Sequence, residues 1–301
     1  MSFAFSLHDR SVADGVRRIA AEQIAKAIEQ AADVDHAPAR RIHDVRKRCK
    51  KLRGLLRLVR PALAGFAREN ARISAAAAGL ATARDARVML DTLAALNKKT
   101  RKSLRFAIPE SPPPENTEAE EEAALLKFRT AMTPVLTHAG RWALDGDGFG
   151  LIGPGLTRTY RDARRARRNA QRSGSAVAFH EWRKLVKYHW HHLSLLRECT
   201  PAAQRSQIDA AEHLSDLLGL HHDLAVLAAT LADDPNALGI VLDVDKVQAA
   251  ARKRQDALAR QAFALAKQVL AEKPKALRRR FEAYWTAWQA GEMAVATTPG
   301  E

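Results

Sequence analysis

The residues best suited to chemistry are cations and histidines that recur at helical spacing in two stretches of the chain. The stretches are HDVRKRCKKLRGLLRLVR, residues 43–60, and FHEWRKLVKYHWHHLSLL, residues 179–196. Side chains three or four positions apart share a helix face, so each stretch predicts a helix with one apolar and one cationic face. Arginine and lysine at this spacing favour binding of a chain of phosphates, whose oxygens accept charge-assisted hydrogen bonds. The predicted cationic faces carry His43, Arg46, Lys47, Lys50 and Arg57 in the first stretch, and His180, Arg183, Lys184, Lys187 and His191 in the second.

The cationic pattern occurs twice, at matched positions. The sequence His-x-x-Arg-Lys-x-x-Lys begins at His43 and again at His180. A second matched segment follows each copy at nearly the same distance, residues 80–88 and 218–226, and keeps a leucine, an aspartate and a valine in register. Such self-similarity indicates an internal duplication. A face that is merely solvated has no reason to keep this pattern in both halves, so the repeat favours a polyanion site.

Histidines and further arginines extend the candidate site. An anion stabilises a protonated imidazole, so His43 and His180 are expected to add charged donors beside the arginines. A very basic helix is predicted over residues 156–172, and its start, residues 155–158, resembles residues 15–18 of the first predicted helix. Four arginines on these two helices join the candidate site: Arg18, Arg158, Arg161 and Arg165.

The elements that must position these residues are helices. In the first half, residues 11–33 and 38–60 have apolar residues at helical spacing, and the alanine-rich segment 63–105 predicts two helices with a turn near residue 83. Prolines then predict a non-helical connector over 109–117. In the second half, an acidic cluster predicts a helix start at residue 118.

The remainder of the second half is also helical in pattern, apart from a turn-rich loop predicted over residues 145–155, DGDGFGLIGPG. Further helices are predicted at 176–199, within 201–231, at about 240–272 and at about 275–290. No stretch alternates with a period of two, so the predicted fold class is all-α. The predicted organisation is one helical bundle over residues 1–108, the connector 109–117, a second bundle over 118–290 and a loose tail over 291–301.

Composition indicates an acidic partner. The 301 residues include 49 lysines and arginines against 34 aspartates and glutamates, a net charge of +15. Such an excess repels itself unless a polyanion or counterions offset it. The two cysteines, Cys49 and Cys199, lie far apart without metal-knuckle spacing, which favours a reduced compartment. With neither a signal sequence nor an apolar run of membrane-spanning length, a cytoplasmic protein without a membrane partner is expected.

The duplicated motifs resemble the CHAD domain, the conserved histidine alpha-helical domain, over about residues 11–290. They are His-x-x-Arg-Lys-x-x-Lys at His43 and at His180, each followed by Leu-x-x-x-(Arg/His)-Asp-x-x-Val. The resemblance implies two antiparallel four-helix bundles related by pseudo-twofold symmetry, with a basic central cavity that binds inorganic polyphosphate. It implies a stand-alone, non-enzymatic protein that associates with polyphosphate granules and needs no cofactor.

Two alternatives remain open at this stage. A metal-dependent phosphohydrolase could use the histidines gathered between His189 and His222, although the spacing typical of a di-iron bundle is absent from the sequence. A nucleic-acid protein could use the same charge, but base recognition needs aromatic or amide side chains among the cations, and the two cationic faces have none. The oligomeric state is left open, with a monomer as the simplest expectation.

Overall fold

The chain is helical throughout the part that the structure describes. The computed structural model describes residues 3–80, 82–100, 104, 118–240 and 242–291, and of residues 82–87 it describes the backbone alone. These ranges contain no strand, only an isolated bridge between Leu63 and Leu144, so the predicted all-α class is confirmed. A short 3-10 helix, Ala202–Gln204, also occurs. The α-helices in these ranges are α1 Val12–Ala32, α2 Pro38–Leu58, α3 Phe66–Ala78, α4 Thr82–Lys99, α5 Glu118–Ala139, α6 Gly148–Ser173, α7 Ala176–Leu195, α8 Ser206–Asp233, α9 Val244–Val269 and α10 Pro274–Gln289.

Local sequence fixes where several helices begin. The Ser11 hydroxyl accepts a hydrogen bond of 3.1 Å from the Asp14 N–H at the start of α1, and Ser175 caps α7 in the same way. Each cap satisfies one of the backbone donors that a helix N-terminus leaves unpaired. Pro38 stands at the first position of α2, where its missing N–H costs nothing. The predicted starts of α1, α2, α5 and α7 are therefore confirmed to within a residue.

The predicted loop over residues 145–155 is confirmed only for residues 145–147 and is wrong beyond them, because α6 begins at Gly148. Phe149, Leu151 and Ile152 are buried, and this burial outweighs the weak helix propensity of the glycines. Gly155 serves a packing purpose here: a Cβ added to it would lie only 1.8 Å from the Leu58 carbonyl oxygen. Gly155 therefore allows the close approach of α6 to the end of α2.

The two helices predicted in the alanine-rich segment are present, and the break between them comes slightly before residue 83. Helix α3 ends at Ala78 and α4 begins at Thr82, so the matched segment 80–88 lies mainly in α4. Its counterpart, 218–226, lies wholly inside α8, which is a single helix of 28 residues. A shared sequence motif thus follows a turn in one half of the chain and continues a helix in the other.

Helix α5 packs against the helices that precede it in the chain. It contacts α1, α2 and α3, and the buried Arg41 of α2 donates to the Glu122 carboxylate of α5. The sequence-based division groups residues 118–139 with the second bundle, whereas their packing partners lie in the first half. In the second half, α6 contacts α7 and α10, and α8 contacts α7 and α9.

The last described helix packs onto the core as its apolar pattern predicts. Leu277, Phe281 and Trp288 of α10 are buried. The predicted connector, 109–117, and nearly all of the predicted tail lie outside the described residues. No helix within the described ranges has both the length and the apolar character needed to cross a bilayer.

Candidate functional site

The predicted cationic faces of α2 and α7 meet at one pair of matched positions. Gly54 lies against His191, and a Cβ added to the glycine would be 2.8 Å from the Cβ of His191. Next to this contact, His192 Nε2 donates a hydrogen bond of 3.0 Å to the Gly54 carbonyl oxygen. The Arg57 guanidinium lies over the Tyr188 ring, 4.3 Å from its centroid. Residue numbers rise along α2 as they fall along α7, so the two helices cross in opposite directions.

Two more helices close a ring of contacts with α2 and α7. Helix α2 contacts α7, α7 contacts α8, α8 contacts α4, and α4 contacts α2. Arg46 Nη1 donates a hydrogen bond of 2.9 Å to the Leu80 carbonyl oxygen, just before α4. Arg183 Nε lies 3.9 Å from the position of a Cβ added to Gly219 of α8. Leu80 and Gly219 belong to the matched segments, so each arginine lies beside the same part of the repeat in its own half.

Burial differs along the cationic faces. His43 and Lys47 are exposed, whereas Arg46, Lys50, Arg183 and Lys187 are half-buried. Half-buried cations are screened less by salt than fully solvated ones, so they attract an anion more strongly. Lys184 pairs with Glu181 one turn before it on the exposed side of α7. The described contacts of Arg46 and Arg183 thus direct these faces toward α4 and α8.

His180 takes up a proton less readily in the free protein than an ordinary histidine does. Burial lowers its pKa, and the neighbouring Lys184 and Arg183 lower it further. The His222 ring lies 4.9 Å from the His180 ring between centroids. Burial, Arg183 and His180 together lower the pKa of His222 to about 4. His222 was expected only as a possible metal ligand. It occupies the position of Arg84 in the matched segments, and this equivalence was the signal that could have placed it with the cations.

His191 does not present a charge. Its side chain is 2% exposed and packs between Gly54, Phe3 and Trp190. Burial is the main cause that holds the pKa of His191 well below the usual range, and the charge of Lys187 lowers it further. Helical spacing correctly places His191 on the same face as Lys187, but at the point where that face is covered by α2. His191 therefore shapes the helix crossing, and it is not the cationic donor that its spacing predicted.

Arg18 forms an ion pair with Asp9, away from the crossing of α2 and α7. Its guanidinium donates to both carboxylate oxygens of Asp9, at 2.6 and 2.9 Å, and to Glu22 at 3.1 Å. It also donates to the Ala4 carbonyl oxygen over 3.0 Å. These contacts fasten the N-terminal segment to α1, so Arg18 has a structural role in the described part of the chain.

The α6 arginines form an exposed row that begins near α2. Arg158, Arg161 and Arg165 are exposed, and the last two lie 3.5 and 3.9 Å from the Asp162 carboxylate. Burial, Arg158 and Arg57 together lower the pKa of Arg60. Arg60 therefore lies between Arg57 of the α2 face and Arg158 of the α6 row, and it was not among the predicted site residues.

The histidines that suggested a metal centre are spread over several environments. His189 lies beside Tyr160, His192 bonds to Gly54, and His221 stacks on Phe179 with centroids 4.1 Å apart. Among the described residues, no group of three or more His, Cys, Asp or Glu side chains is arranged to hold a metal ion. Both cysteines are buried, and burial raises the pKa of each thiol to about 12.

Comparison with known proteins bears on this geometry. No curated protein matches the sequence. A solved structure, the crystal structure of the CHAD domain from the plant Ricinus communis, is similar in fold, with a TM-score of 0.64 at 17% sequence identity. The similarity covers 90% of this chain and 95% of the plant chain. The CHAD domain family matches residues 18–232, a span that includes both copies of the cationic motif and both matched segments. Since that span is well over half of the sequence, the chain belongs to the CHAD domain family.

Proposed function

We propose that this protein binds inorganic polyphosphate, without chemical change, in a basic channel framed by α2, α4, α7 and α8. The observation that carries the proposal is the matched placement of two arginines, with Arg46 bonded to the Leu80 carbonyl oxygen and Arg183 beside Gly219. They turn two cationic helix faces toward one ring of helices, where charge is only half-exposed. A linear polyanion can neutralise both faces at once, whereas two faces on opposite surfaces would need two ligands.

The crossing at Gly54 and His191 supports a twofold relation between the two halves. These residues occupy equivalent positions in the duplicated motif, and they contact each other. Contact between equivalent positions is what a twofold axis near the crossing would produce. We infer two bundles related by this axis, with α5 completing the first of them.

The crossing also supports a preference for long chains. His43 and His180 each lie eleven residues before the crossing pair, on opposite sides of it. At 1.5 Å per residue, the two motifs together extend over about 30 Å if both helices are straight. A short phosphate chain meets only one motif, so affinity should increase with chain length until both are occupied. Each neutralised phosphate releases counterions, and affinity should therefore fall steeply with salt.

Charge reversal tests the site directly. Changing Arg46, Lys50, Arg183 and Lys187 to Glu should abolish polyphosphate binding, measured by fluorescence anisotropy of a labelled chain. The matched control reverses four exposed cations of α9: Arg252, Lys253, Arg260 and Lys267. Both variants have the same net charge, so general attraction alone predicts equal losses. Equal losses, with helical circular dichroism unchanged in both, would refute the channel.

Two further measurements separate this proposal from its alternatives. Incubation with polyphosphate and divalent metal ions should leave the chain length unchanged, and release of orthophosphate would indicate a phosphohydrolase. Competition with single-stranded DNA of equal charge should favour polyphosphate. The rings of Tyr188 and Trp190 beside the cationic faces are covered by Arg57 and Lys187, which limits stacking with bases. A preference for DNA would contradict the proposal.

We also propose that binding brings the protein to polyphosphate granules. In cells, a fluorescent fusion should co-localise with granules. The four-fold charge reversal should disperse it, while the α9 control should remain on the granules. Granule association of the reversed variant would show that another surface is responsible.

A further inference from the structure

An open groove lies between α3 and α5, in the first half of the molecule. It has a volume of about 750 Å³, and most of the side chains that line it are small or apolar. Ala75 and Ala76 line it from α3, and Ala124 and Phe128 line it from α5, with the charged Lys127 beside them. Exposed apolar surface that charged residues border is typical of a contact between proteins. The groove therefore makes this side of α5 a candidate interaction surface.

The exposed face of α5 next to this groove is weakly polar. Ala119, Ala123, Leu126 and Thr130 are exposed, and their spacing of three or four positions places them in one stripe. The Thr130 hydroxyl donates a hydrogen bond of 3.1 Å to the Leu126 carbonyl oxygen, so its polar group is already satisfied. A single exposed leucine is ordinary on a protein surface, but Leu126 is 59% exposed and has small side chains on both sides of it along the helix.

Charged side chains lie on both flanks of the stripe. Glu118 and Arg129 fall within about 20° of each other around the helix, on one flank, and Glu120 and Lys127 do the same on the other. All four are exposed. Neither Lys127 nor Arg129 has an acidic residue three or four positions away in α5, so the helix offers them no ion pair of its own. Each flank therefore has an acid near the start of α5 and a base further along.

This arrangement of charge is complementary to itself. When two copies of a helix pack in opposite directions about a twofold axis, each flank faces the same flank of the other copy. An axis between positions 123 and 124 places Glu118 opposite Arg129 of the second copy, and Glu120 opposite Lys127, so each ion pair occurs twice. The same register places Leu126 between positions 119 and 123 of the second copy, where alanines leave room for it, as a knob fits a hole between helices. One register thus matches both charge and shape.

The local charge also favours a second copy over another partner. The chain has a net charge of +15, but the start of α5 is acidic, so a cationic copy can approach there without strong repulsion. Burial, followed by Glu118 and Glu122, raises the pKa of Glu121, and cations placed opposite these acids would relieve their mutual repulsion. A partner helix with only acidic or only basic residues would oppose charges of its own sign on half of each flank.

We propose that two copies of this chain form a dimer through antiparallel packing of α5 against α5, with Ala123 next to the twofold axis and Leu126 between Ala119 and Ala123 of the other copy. The paired parts of the helices, from Glu118 to Arg129, extend over about 17 Å. Contacts of this size are typical of reversible association, so the dimer should form and dissociate with concentration. The dimer does not depend on polyphosphate binding.

Charge exchange tests the register by sedimentation equilibrium of the full chain. Glu118→Lys with Glu120→Lys gives one reversed protein, and Lys127→Glu with Arg129→Glu gives the other. In each of them like charges face one another across the axis, so dimerisation should be about tenfold weaker than in the unaltered protein. An equimolar mixture of the two should dimerise like the unaltered protein, because the reversed flanks complement each other. Circular dichroism should show the same helix content in both, since the four positions are exposed.

The control for the first reversed protein is Glu198→Lys with Glu282→Lys. It reverses two exposed acids outside α5 and has the same net charge, so it should dimerise like the unaltered protein. An equimolar mixture that dimerises no better than either reversed protein would overturn the proposed register. An unaltered chain that stays monomeric at the highest concentration at which it is soluble would overturn the dimer itself.

Disulfide cross-linking tests the position of the axis. Ala123→Cys should form a disulfide between two copies on mild oxidation, and the native Cys49 and Cys199 do not compete because both are buried. Thr137→Cys is also exposed on α5 but lies outside the paired part of the helix, so it should cross-link much more slowly. Equal rates for the two variants would contradict an axis beside Ala123.

Discussion

The Cβ of His191 occupies the space that a side chain at Gly54 would need, with only 2.8 Å between it and an added Cβ. The crossing of α2 and α7 is therefore fixed by the absence of a side chain on one helix and the presence of a flat ring on the other. Since both residues belong to the cationic faces, this contact also sets how close the two faces come.

Gly54→Ala should lower the free energy of unfolding by about 1–3 kcal/mol, because the extra methyl group overpacks the crossing. It should also weaken polyphosphate binding, since the cationic faces must move apart. Urea unfolding and fluorescence anisotropy measure the two effects. The control is Gly150→Ala in α6, where an added Cβ meets no atom within 4 Å. That change should raise stability by about 0.5–1 kcal/mol through helix propensity. A Gly54→Ala protein as stable as the control would contradict the close contact.

Stability should fall steeply in mild acid because of three buried histidines. Burial lowers the pKa of His189 and His192 to about 3, and holds that of His191 well below its usual range. Below about pH 6.5 the unfolded chain binds protons at these positions and the folded chain does not, so stability decreases as pH falls. Each histidine contributes a slope of about 1.4 kcal/mol per pH unit, or about 4 kcal/mol for the three together.

Urea unfolding between pH 7 and pH 4.5 measures this slope. His192→Asn should reduce the slope by about 1.4 kcal/mol per pH unit, whatever it does to stability at pH 7. The same substitution at the exposed His213 serves as control. A slope that His192→Asn leaves unchanged would show that the buried imidazoles do not govern acid unfolding.

Polyphosphate affinity should increase as pH falls through the range in which His180 and His222 can take up protons. Their pKa values are lowered in the free protein, that of His222 to about 4, and a bound polyanion raises both. Between the free and the bound pKa values, binding takes up protons, so each proton can increase affinity up to about tenfold per pH unit. Calorimetry in buffers of different ionisation enthalpy detects that uptake. His180→Asn with His222→Asn should flatten the pH profile, and a flat profile in the unaltered protein would disprove the coupling.

Removing Glu122 should loosen α5 from the rest of the first half. Arg41 is 4% exposed, and its guanidinium donates to Glu122 and to the Ala31 carbonyl oxygen. Because the Glu122 side chain is about half-exposed, we expect Glu122→Ala to cost about 2 kcal/mol, less than a fully buried pair. Glu118→Ala, at an exposed position of the same helix, should cost no more than about 0.5 kcal/mol. Hydrogen exchange of α5 amides should rise in the first variant alone.

Helical periodicity predicted much of this molecule because it acts locally. It located the cationic faces of α2 and α7, and the caps at Ser11 and Ser175 follow from residue type. It could not locate the crossing, since nothing in the spacing of His191 distinguishes it from Lys187. The start of α6 was missed for a related reason. Glycines such as Gly155 are typical of turns, but Gly155 is in a helix and packs against Leu58, which is distant in sequence. The partner of Arg18, Asp9, lies in a segment without regular structure, where periodicity carries no information.

The packing of α5 has a consequence for how the protein is made. Residues 12–99 supply α1 to α4, but α5, which covers α1, α2 and α3, comes later in the chain. While the ribosome is still synthesising the intervening segment, the apolar side chains of α1 and α3 that face α5 are not yet covered. The core of the nascent first half is therefore incomplete until α5 has emerged as far as Ala139. During that interval, chaperones that bind exposed apolar helices can bind it.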